Sequence, residues 1–338
     1  MRKDPIAKFK KVISKAKTIS IVTHWSPDGD AMGSSLGLYH HLKNLNKNVK
    51  VIVPNEYPGF LQWLPGNKSV INFQFDQKKA EQFIGKSDVI FTLDFNTLKR
   101  IDKLGDFISK NTAAKKIMVD HHREPDHYAD LYFHDVNACS TCELIFLLIR
   151  STSGLKAVNK NIATCLYTGI MTDTGNFRFP SVTAATHKIV AELIEKGADN
   201  SAIYSSVQDD YSESRMRLVG YCLSQKMKIL ADYSTSYMCL TKEELDKFGF
   251  EKGDTEGLVN YALSIRCIKF SAFFMEKDGM IKTSFRSKGN IDVNSFAREF
   301  WNGGGHKNAA GGQFSGSMNS CEEKFLNEVP NLFSKKVK

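Results

Sequence analysis

The chain has 338 residues, 42% hydrophobic and 25% charged, an ordinary composition for a folded protein that excludes disorder as its default state. Its apolar runs, such as "LIFLLI" and "VIFTL", fall far short of the roughly 20 residues that a membrane-spanning helix needs. A formal charge of +9 points to an anionic partner, although much of the excess lies in "KFKKVISKAK" and "SKKVK", which read equally well as solvated termini.

The length suits two domains, each with its own core. The N-terminal stretch "MRKDPIAKFKKVISKAKTISIV" lacks the apolar segment and cleavage pattern of a secretory signal. It reads as an amphipathic helix with Ile6, Phe9, Val12 and Ile13 on one side. Seven cysteines, an odd number, argue for free thiols in a reducing cytoplasm rather than a disulfide framework. The runs "TISIVT", "KVIV", "DVIFTLD" and "KIMVD", separated by helical stretches such as "AMGSSLGLYHHLKNL", predict βαβ units. The fold class is therefore α/β, with a mainly parallel sheet flanked by helices. His40 and His41 in that helical stretch read as surface residues. "CSTCELIFLLIR" predicts a helix with Ser140 as cap and Glu143 three residues on, which also explains Cys139 and Cys142 as structural rather than redox or zinc residues. "NIATCLYTGIMTD" predicts another helix, with Ile162, Leu166 and Ile170 on one face. Residues 196–225 are polar and lack strand signals, so they read as a helical linker between a domain at 1–195 and another at 226–338. The second contains strand-like "STSYMCLT", "IKFSAFFME" and "GMIKTSFRS", helix-like "VNSFAREFW" and the glycine cluster "GGGHKNAAGG". These predict a smaller α+β domain.

Acids and histidines recur where apolar elements of the first domain end. His24, Asp28 and Asp30 follow "TISIVT", Asp94 follows "VIFTL", and Asp120, His121 and His122 follow "IMV". Asp173 lies near the end of a helix. Ligand sites of open parallel sheets lie beyond the carboxyl ends of the strands, so the strand-end groups should converge on one crevice. Converged carboxylates raise one another's pKa and need cations to stay ionised. A mixture of imidazole and carboxylate suits Mn²⁺, Fe²⁺ or Co²⁺ better than Ca²⁺ or a thiolate-bound Zn²⁺. A pair of ions about 3.5–4 Å apart would activate water and hold a phosphoryl group. Each acid taken alone is an ordinary turn or cap residue. "DGDAMG" is no EF-hand, because Met32 and Tyr39 stand where oxygen ligands are required. The ordered conjunction is what carries the reading.

"HWSPDGDAMGSSLGL", "TLDFN", "VDHHREP" and "GIMTDTGNFRF" resemble, in order, the four N-terminal motifs of the DHH phosphoesterase superfamily. "GGGHKNAAGG", preceded by "SFRSKGNIDVNSFAREF", resembles the first type of DHH-associated C-terminal domain, and "DTEGLVNYALSI" fits its start. The likeness covers nearly the whole chain. It implies that His24 and Asp28 bind one divalent ion, Asp30, His121 and Asp173 the other, and that Asp94 bridges both. Manganese is the expected metal, with Mg²⁺ or Co²⁺ as substitutes. Among the catalytic candidates Asp94, Asp120 and His122, His122 would face the substrate and Asp120 would orient an imidazole. Gly29, between Asp28 and Asp30, would permit unusual dihedrals. The helix that follows would turn its N-terminus toward the anionic site.

The glycine cluster is not a P-loop, because no Gly-Lys-Ser/Thr follows at the required spacing. By itself it is a loop or tight turn. The resemblance implies instead that the N–H groups of Gly303, Gly304 and Gly305 close with His306 around a terminal phosphate or ribose, with Ser284 beside them and Arg286 in a forked contact. Relatives often carry four glycines before the histidine, where this chain has Asn302 and three. Arg178 either touches phosphate near Asp173 or lies on the surface, and Phe177 reads as core. Asp126, His127 and Asp130 match no motif and read as surface residues.

The compact two-domain plan is similar to superfamily members that degrade very short oligoribonucleotides and dephosphorylate 3′-phosphoadenosine 5′-phosphate (pAp). The expected enzyme is a cytoplasmic phosphoesterase of short oligonucleotides and pAp, with its active site in an interdomain cleft. It needs no membrane and no obligate protein partner, and a homodimer stays open. The alternatives are a phosphodiesterase for linear or cyclic dinucleotides, a RecJ-like single-strand exonuclease, which would need a further oligonucleotide-binding domain, and a non-catalytic RNA-binding module. An inorganic pyrophosphatase would need the other type of C-terminal domain.

Overall fold

The computed structural model describes residues 3–334. By internal contacts the chain divides into two compact units between Asp210 and Tyr211. In the first unit, β1 (Thr18–Thr23), β2 (Asn48–Val53), β3 (Ile71–Asn72), β4 (Val89–Leu93), β5 (Lys115–Asp120) and β6 (Leu131–His134) form one sheet in the order β3-β2-β1-β4-β5-β6. Every pair in it is parallel. The short β3 and β6 extend it beyond the four strands read from sequence; they lie at its edges, where few apolar residues mark them.

Alternate residues of each central strand enter opposite layers. Ile19, Ile21, Val51 and Phe91 join one core, while Val22, Ile52 and Ile90 join the other. Strands buried on both faces read as continuous apolar runs, which is why β1 and β4 were legible. The first layer is covered by α1 (Lys3–Lys15), α2 (Gly29–Asn44), α5 (Thr141–Ser153), α6 (Lys160–Asp173), α7 (Ala184–Glu195) and α8 (Asn200–Gln208). The opposite layer is covered by α3 (Gln77–Gly85) and α4 (Asp102–Lys110). His41 is buried at the back of α2, against Ser153, and burial pulls its pKa down to about 4. The surface reading of His41 therefore gives way to a core imidazole.

The stretch read as a linker is divided between the units. Ile203 and Val207 of α8 belong to the first core. Leu218 and Val219 of α9 (Glu213–Tyr221) belong to the second unit. That unit is built on β7 (Lys228–Leu230), β8 (Thr235–Leu240), β9 (Phe270–Lys277), β10 (Met280–Ser287), β11 (Gly304–His306) and β12 (Ala309–Phe314), in the order β11-β12-β10-β9-β8-β7. Only the β8–β9 pairing is parallel among the described strands. The short α10 (Lys242–Lys247) and α11 (Leu258–Ala262) precede β9, and α12 (Val293–Phe300) and α13 (Met318–Ser334) pack on an aromatic core of Phe270, Phe274, Phe285, Phe296, Trp301 and Phe325.

Candidate metal centre

The strand order of the first sheet reverses between β1 and β4, and open α/β sheets bind ligands at such a reversal. His24 leaves the carboxyl end of β1 and Asp94 that of β4, and β5 ends at Asp120 with His121 and His122 directly after. Asp94 adopts φ +66°, a left-handed conformation that Asp tolerates better than most side chains. Two helices supply the rest. Asp28 caps α2, accepting from the N–H groups of Asp30 and Ala31 through one oxygen, and Asp173 is the last residue of α6.

α2 and α6 meet through glycines. A Cβ at Gly29 would lie 2.2 Å from the Thr172 hydroxyl oxygen, and one at Gly33 would lie 2.5 Å from the Cys165 carbonyl oxygen. A Cβ at Gly37 would strike Leu166, and one on Gly169 of α6 would approach Asp30. Gly29 lies within the helix and keeps negative φ, so it is required for space rather than for an unusual dihedral. The close crossing sets Asp30 on α2 beside the end of α6.

The two oxygens of Asp94 face two different groups. Its Oδ2 lies 3.5 Å from His24 Nε2, which is 3.8 Å from Asp28 Oδ1. Its Oδ1 lies 3.5 Å from His121 Nε2, which is 3.5 Å from Asp173 Oδ2 and 3.9 Å from Asp30 Oδ2. Two donor sets, His24/Asp28/Asp94 and Asp30/Asp94/His121, are compact enough to hold an ion each and share one carboxylate. The imidazoles are fixed from behind. His24 Nδ1 is 2.8 Å from the Trp25 carbonyl and His121 Nδ1 is 3.2 Å from that of Ala138. A carbonyl only accepts, so Nδ1 carries a proton in each ring, and Nε2 is the nitrogen turned to the carboxylates, free to bind a metal once its own proton is lost, as metal-ligating histidines are commonly held. His122 Nδ1 is instead 2.7 Å from Asp120 Oδ1, which fixes that ring's orientation.

Electrostatics follow from packing these charges together. Burial opposes a charged His24, but Asp28 and Asp94 against it raise its pKa to about 10. Burial likewise opposes a charged His121, and Asp173, Asp94 and Asp30 raise it to about 9. Burial lowers His122 to about 3, with Arg100 and the other two imidazoles adding to the effect against Asp94. Burial and then Asp94 and Asp173 push Asp30 well above the usual carboxylate range. Asp94 is held below it by His24 despite burial. Imidazolium protons thus stand where divalent cations would bind, in the pattern expected of a site whose ligands must lose protons to take metal.

Sequence reasoning missed the contribution of the α5 N-terminus. Ser140 caps the helix and Glu143 reaches back to the Cys139 N–H. The next two N–H groups are spent on the site: Thr141 donates to Asp30 Oδ2 at 2.6 Å and Cys142 to Asp30 Oδ1 at 2.9 Å. The Thr141 hydroxyl donates to Asp94 Oδ1 at 3.0 Å. A helix N-terminus attracts anions, so the polar opening "STCE" of an otherwise apolar helix was the available signal. Arg178 is exposed, its guanidinium 5.4 Å from the Phe179 ring, and Phe177 packs against Tyr167 at the edge of the core. Asp126, His127 and Asp130 are exposed, and Asp130 pairs with Lys115.

In the second unit, Ser284 and Arg286 project from the same face of β10 into a small concavity with Thr255, Glu256, Gly257 and Lys282. The glycine cluster is a hairpin, β11 and β12, rather than an open loop. Gly303 N–H donates to the Ala297 carbonyl and Gly305 N–H to Asn294 Oδ1, so two of the three N–H groups assigned to a phosphate are used within the unit. A Cβ at Gly303 would lie 1.9 Å from the Gly311 carbonyl oxygen, and one at Gly305, with φ +153°, 2.5 Å from that of Ala309. At Gly304 the nearest atom would be 3.5 Å away. Asn302 adopts φ +46°, a conformation Asn accepts in place of glycine. Gly303→Ala is therefore expected to destabilise the second unit by about 1–3 kcal/mol, whereas Gly304→Ala leaves stability within about 0.5 kcal/mol. Chemical denaturation of both variants checks this.

Residues 18–170 match the DHH family, N-terminal domain, and residues 232–335 match the DHHA1 domain. Over 305 residues the chain is 30% identical to the bifunctional oligoribonuclease and PAP phosphatase NrnA of Bacillus subtilis, covering 89% of this chain and 90% of that protein. It is 31% identical over 333 residues to the probable bifunctional oligoribonuclease and PAP phosphatase NrnA of Streptococcus mutans, covering 96% and 98%. Among solved structures, an exopolyphosphatase-related protein from Bacteroides fragilis matches with a TM-score of 0.92 at 45% identity, over 98% of each chain.

Proposed function

The chain belongs to the DHH family and is a metal-dependent phosphoesterase, and from that premise we propose that it cuts very short oligoribonucleotides to mononucleotides and converts pAp to AMP. The observation that carries the reading is the carboxylate of Asp94, which turns one oxygen to each of two imidazole-and-carboxylate groups. His24, Asp28 and Asp94 would hold one divalent cation; Asp30, Asp94, His121 and Asp173 would hold the second. Mn²⁺ fits this donor set best, with Mg²⁺ or Co²⁺ as substitutes. When bound, such a pair supplies an activated water and offsets the charge that develops on the phosphoryl group.

The remaining roles belong to the protein's own side chains. The α5 N–H groups hold Asp30 in place through both of its oxygens, and the Thr141 hydroxyl fixes the rotamer of Asp94. His122 is neutral, and with its Nδ1 accepting from the carboxyl of Asp120, whose pKa burial raises, it would carry its proton on Nε2 and donate it to the departing oxygen. In the second unit, Arg286 with Ser284, His306 and the Gly304 N–H would fix the terminal nucleotide, which restricts the enzyme to short substrates. The free cysteines fit a reducing cytoplasm.

With Mn²⁺, the purified protein is expected to turn over pAp and a labelled RNA dinucleotide faster than long RNA, cyclic di-AMP or pyrophosphate. Faster cleavage of long RNA would overturn the short-substrate reading, and faster cleavage of cyclic di-AMP would favour the dinucleotide phosphodiesterase instead. Arg286→Ala should raise KM about tenfold or more, the cost of a charge-assisted contact, with metal content unchanged. An unaltered KM would reject its role.

A further inference from the structure

Trp25 follows the ligand candidate His24 directly, yet 49% of its surface is exposed. A large aromatic left in water beside a catalytic centre forgoes much of its burial energy, and such residues mark binding surfaces. Its main chain is held on both sides. The Trp25 N–H donates to the Arg100 carbonyl at 3.2 Å, and its own carbonyl accepts from His24 Nδ1. The next residue, Ser26, takes φ +53° and donates its N–H to Asn55 Oδ1. The indole therefore leaves from a rigid turn tied to the metal centre.

Arg100 stands on the other side of that tether, in the 3₁₀ turn Leu98–Ile101. The turn is fixed by buried Ile101 beneath it and by Gly105, where a Cβ would lie 2.2 Å from the Leu98 carbonyl oxygen. The Arg100 side chain is exposed, and its main chain is bonded to the residue that follows the ligand candidate His24. An aromatic face and a forked cation thus flank the same strand ends that carry the phosphoesterase residues. Both side chains are exposed, and the tether between the two residues uses only main-chain atoms.

We propose that Trp25 and Arg100 form a nucleotide subsite on the rim of the metal centre, in which Trp25 stacks on a nucleobase flanking the scissile phosphate and Arg100 pairs with a phosphate oxygen of that nucleotide. Stacking accepts any base, because every base has a π-face, and the guanidinium reads only phosphate. The subsite therefore favours a nucleic-acid fragment over a bare phosphate ester without selecting sequence. This deepens the phosphoesterase reading and rests on it.

The test uses the intact Mn²⁺-loaded protein and three RNA dinucleotides: one unmodified, one abasic at the 5′ nucleoside and one abasic at the 3′ nucleoside. Trp25→Ala is expected to raise KM on the unmodified dinucleotide about tenfold or more, and Trp25→Phe to restore part of the loss. The Trp25→Ala penalty should shrink about tenfold for the one analogue that lacks the stacked base. Arg100→Ala should raise KM on all three, and Arg100→Lys should recover only part of it. A penalty equal across the three dinucleotides, or a KM unmoved by Trp25→Ala, overturns the subsite. Failure of the unsubstituted protein to cleave any of them overturns the phosphoesterase reading instead, so the two failures are distinct.

Discussion

Asp94→Asn is expected to lower turnover of every substrate by on the order of 10²-fold or more while the fold survives, as measured by steady-state kinetics beside circular dichroism. Asparagine keeps the shape and tolerates the left-handed backbone at φ +66°, so the change removes charge rather than strain. The lost carboxylate is the group that faces His24 through Oδ2 and His121 through Oδ1. The protons of the site supply an independent readout. In the metal-free protein the pKa values of about 10 and about 9 at His24 and His121 lie above the unfolded value of 6.5, so both imidazolium ions are retained near neutrality. Their contribution to stability is complete below pH 6.5 and disappears as the pH rises through 9 to 10. Metal uptake must displace those protons, so metal affinity should rise with pH across the same window. Calorimetry near pH 7.5 in buffers of different ionisation heat should detect proton release on Mn²⁺ binding. Asp94→Asn should reduce that release, because Asp94 helps to raise both histidines. Unchanged turnover, or no proton release from the unsubstituted protein, would contradict the shared-carboxylate centre.

Gly33→Ala is expected to destabilise the first unit by about 1–3 kcal/mol and to weaken metal binding as well. The added methyl would meet the Cys165 carbonyl oxygen at 2.5 Å, a backbone atom that cannot swing aside. Relief requires α2 and α6 to separate. That movement carries Asp30 away from Asp173, and their common approach to His121 depends on the crossing. Gly85→Ala, on α3 with no atom within 4 Å of the new methyl, serves as the control. It should be neutral or stabilising by up to about 1 kcal/mol, through the lower entropy of the unfolded chain. Thermal unfolding with and without Mn²⁺ separates the two effects. Equal behaviour of the two variants would mean that the helix crossing does not set the site.

By itself, the sequence determined the parts of this protein whose signal is local. Strands buried on both faces must be continuous apolar runs, so β1, β4 and β5 and the polar residues that end them could be read directly. Capping at Ser140 and the amphipathic first helix were legible for the same reason, since each depends on residues within one turn of one another. The list of metal-ligand candidates followed from types and order along the chain. What only the tertiary structure decided involves residues far apart in sequence. The α5 N-terminus reaches Asp30 from 111 and 112 residues away, and no spacing within either segment announces that pairing. The glycines of α2 and of the second unit's hairpin looked like conformational devices or a phosphate loop. Folded, they are mainly places where another backbone passes too close for a side chain. His41 was misread because a polar residue inside a helix reveals its burial only once α5 covers it. Trp25 is the reverse case: its exposure beside the strand ends could not be deduced from an apolar letter. Local chemistry is written in the order of residues, while contact and exposure are properties of the packed chain.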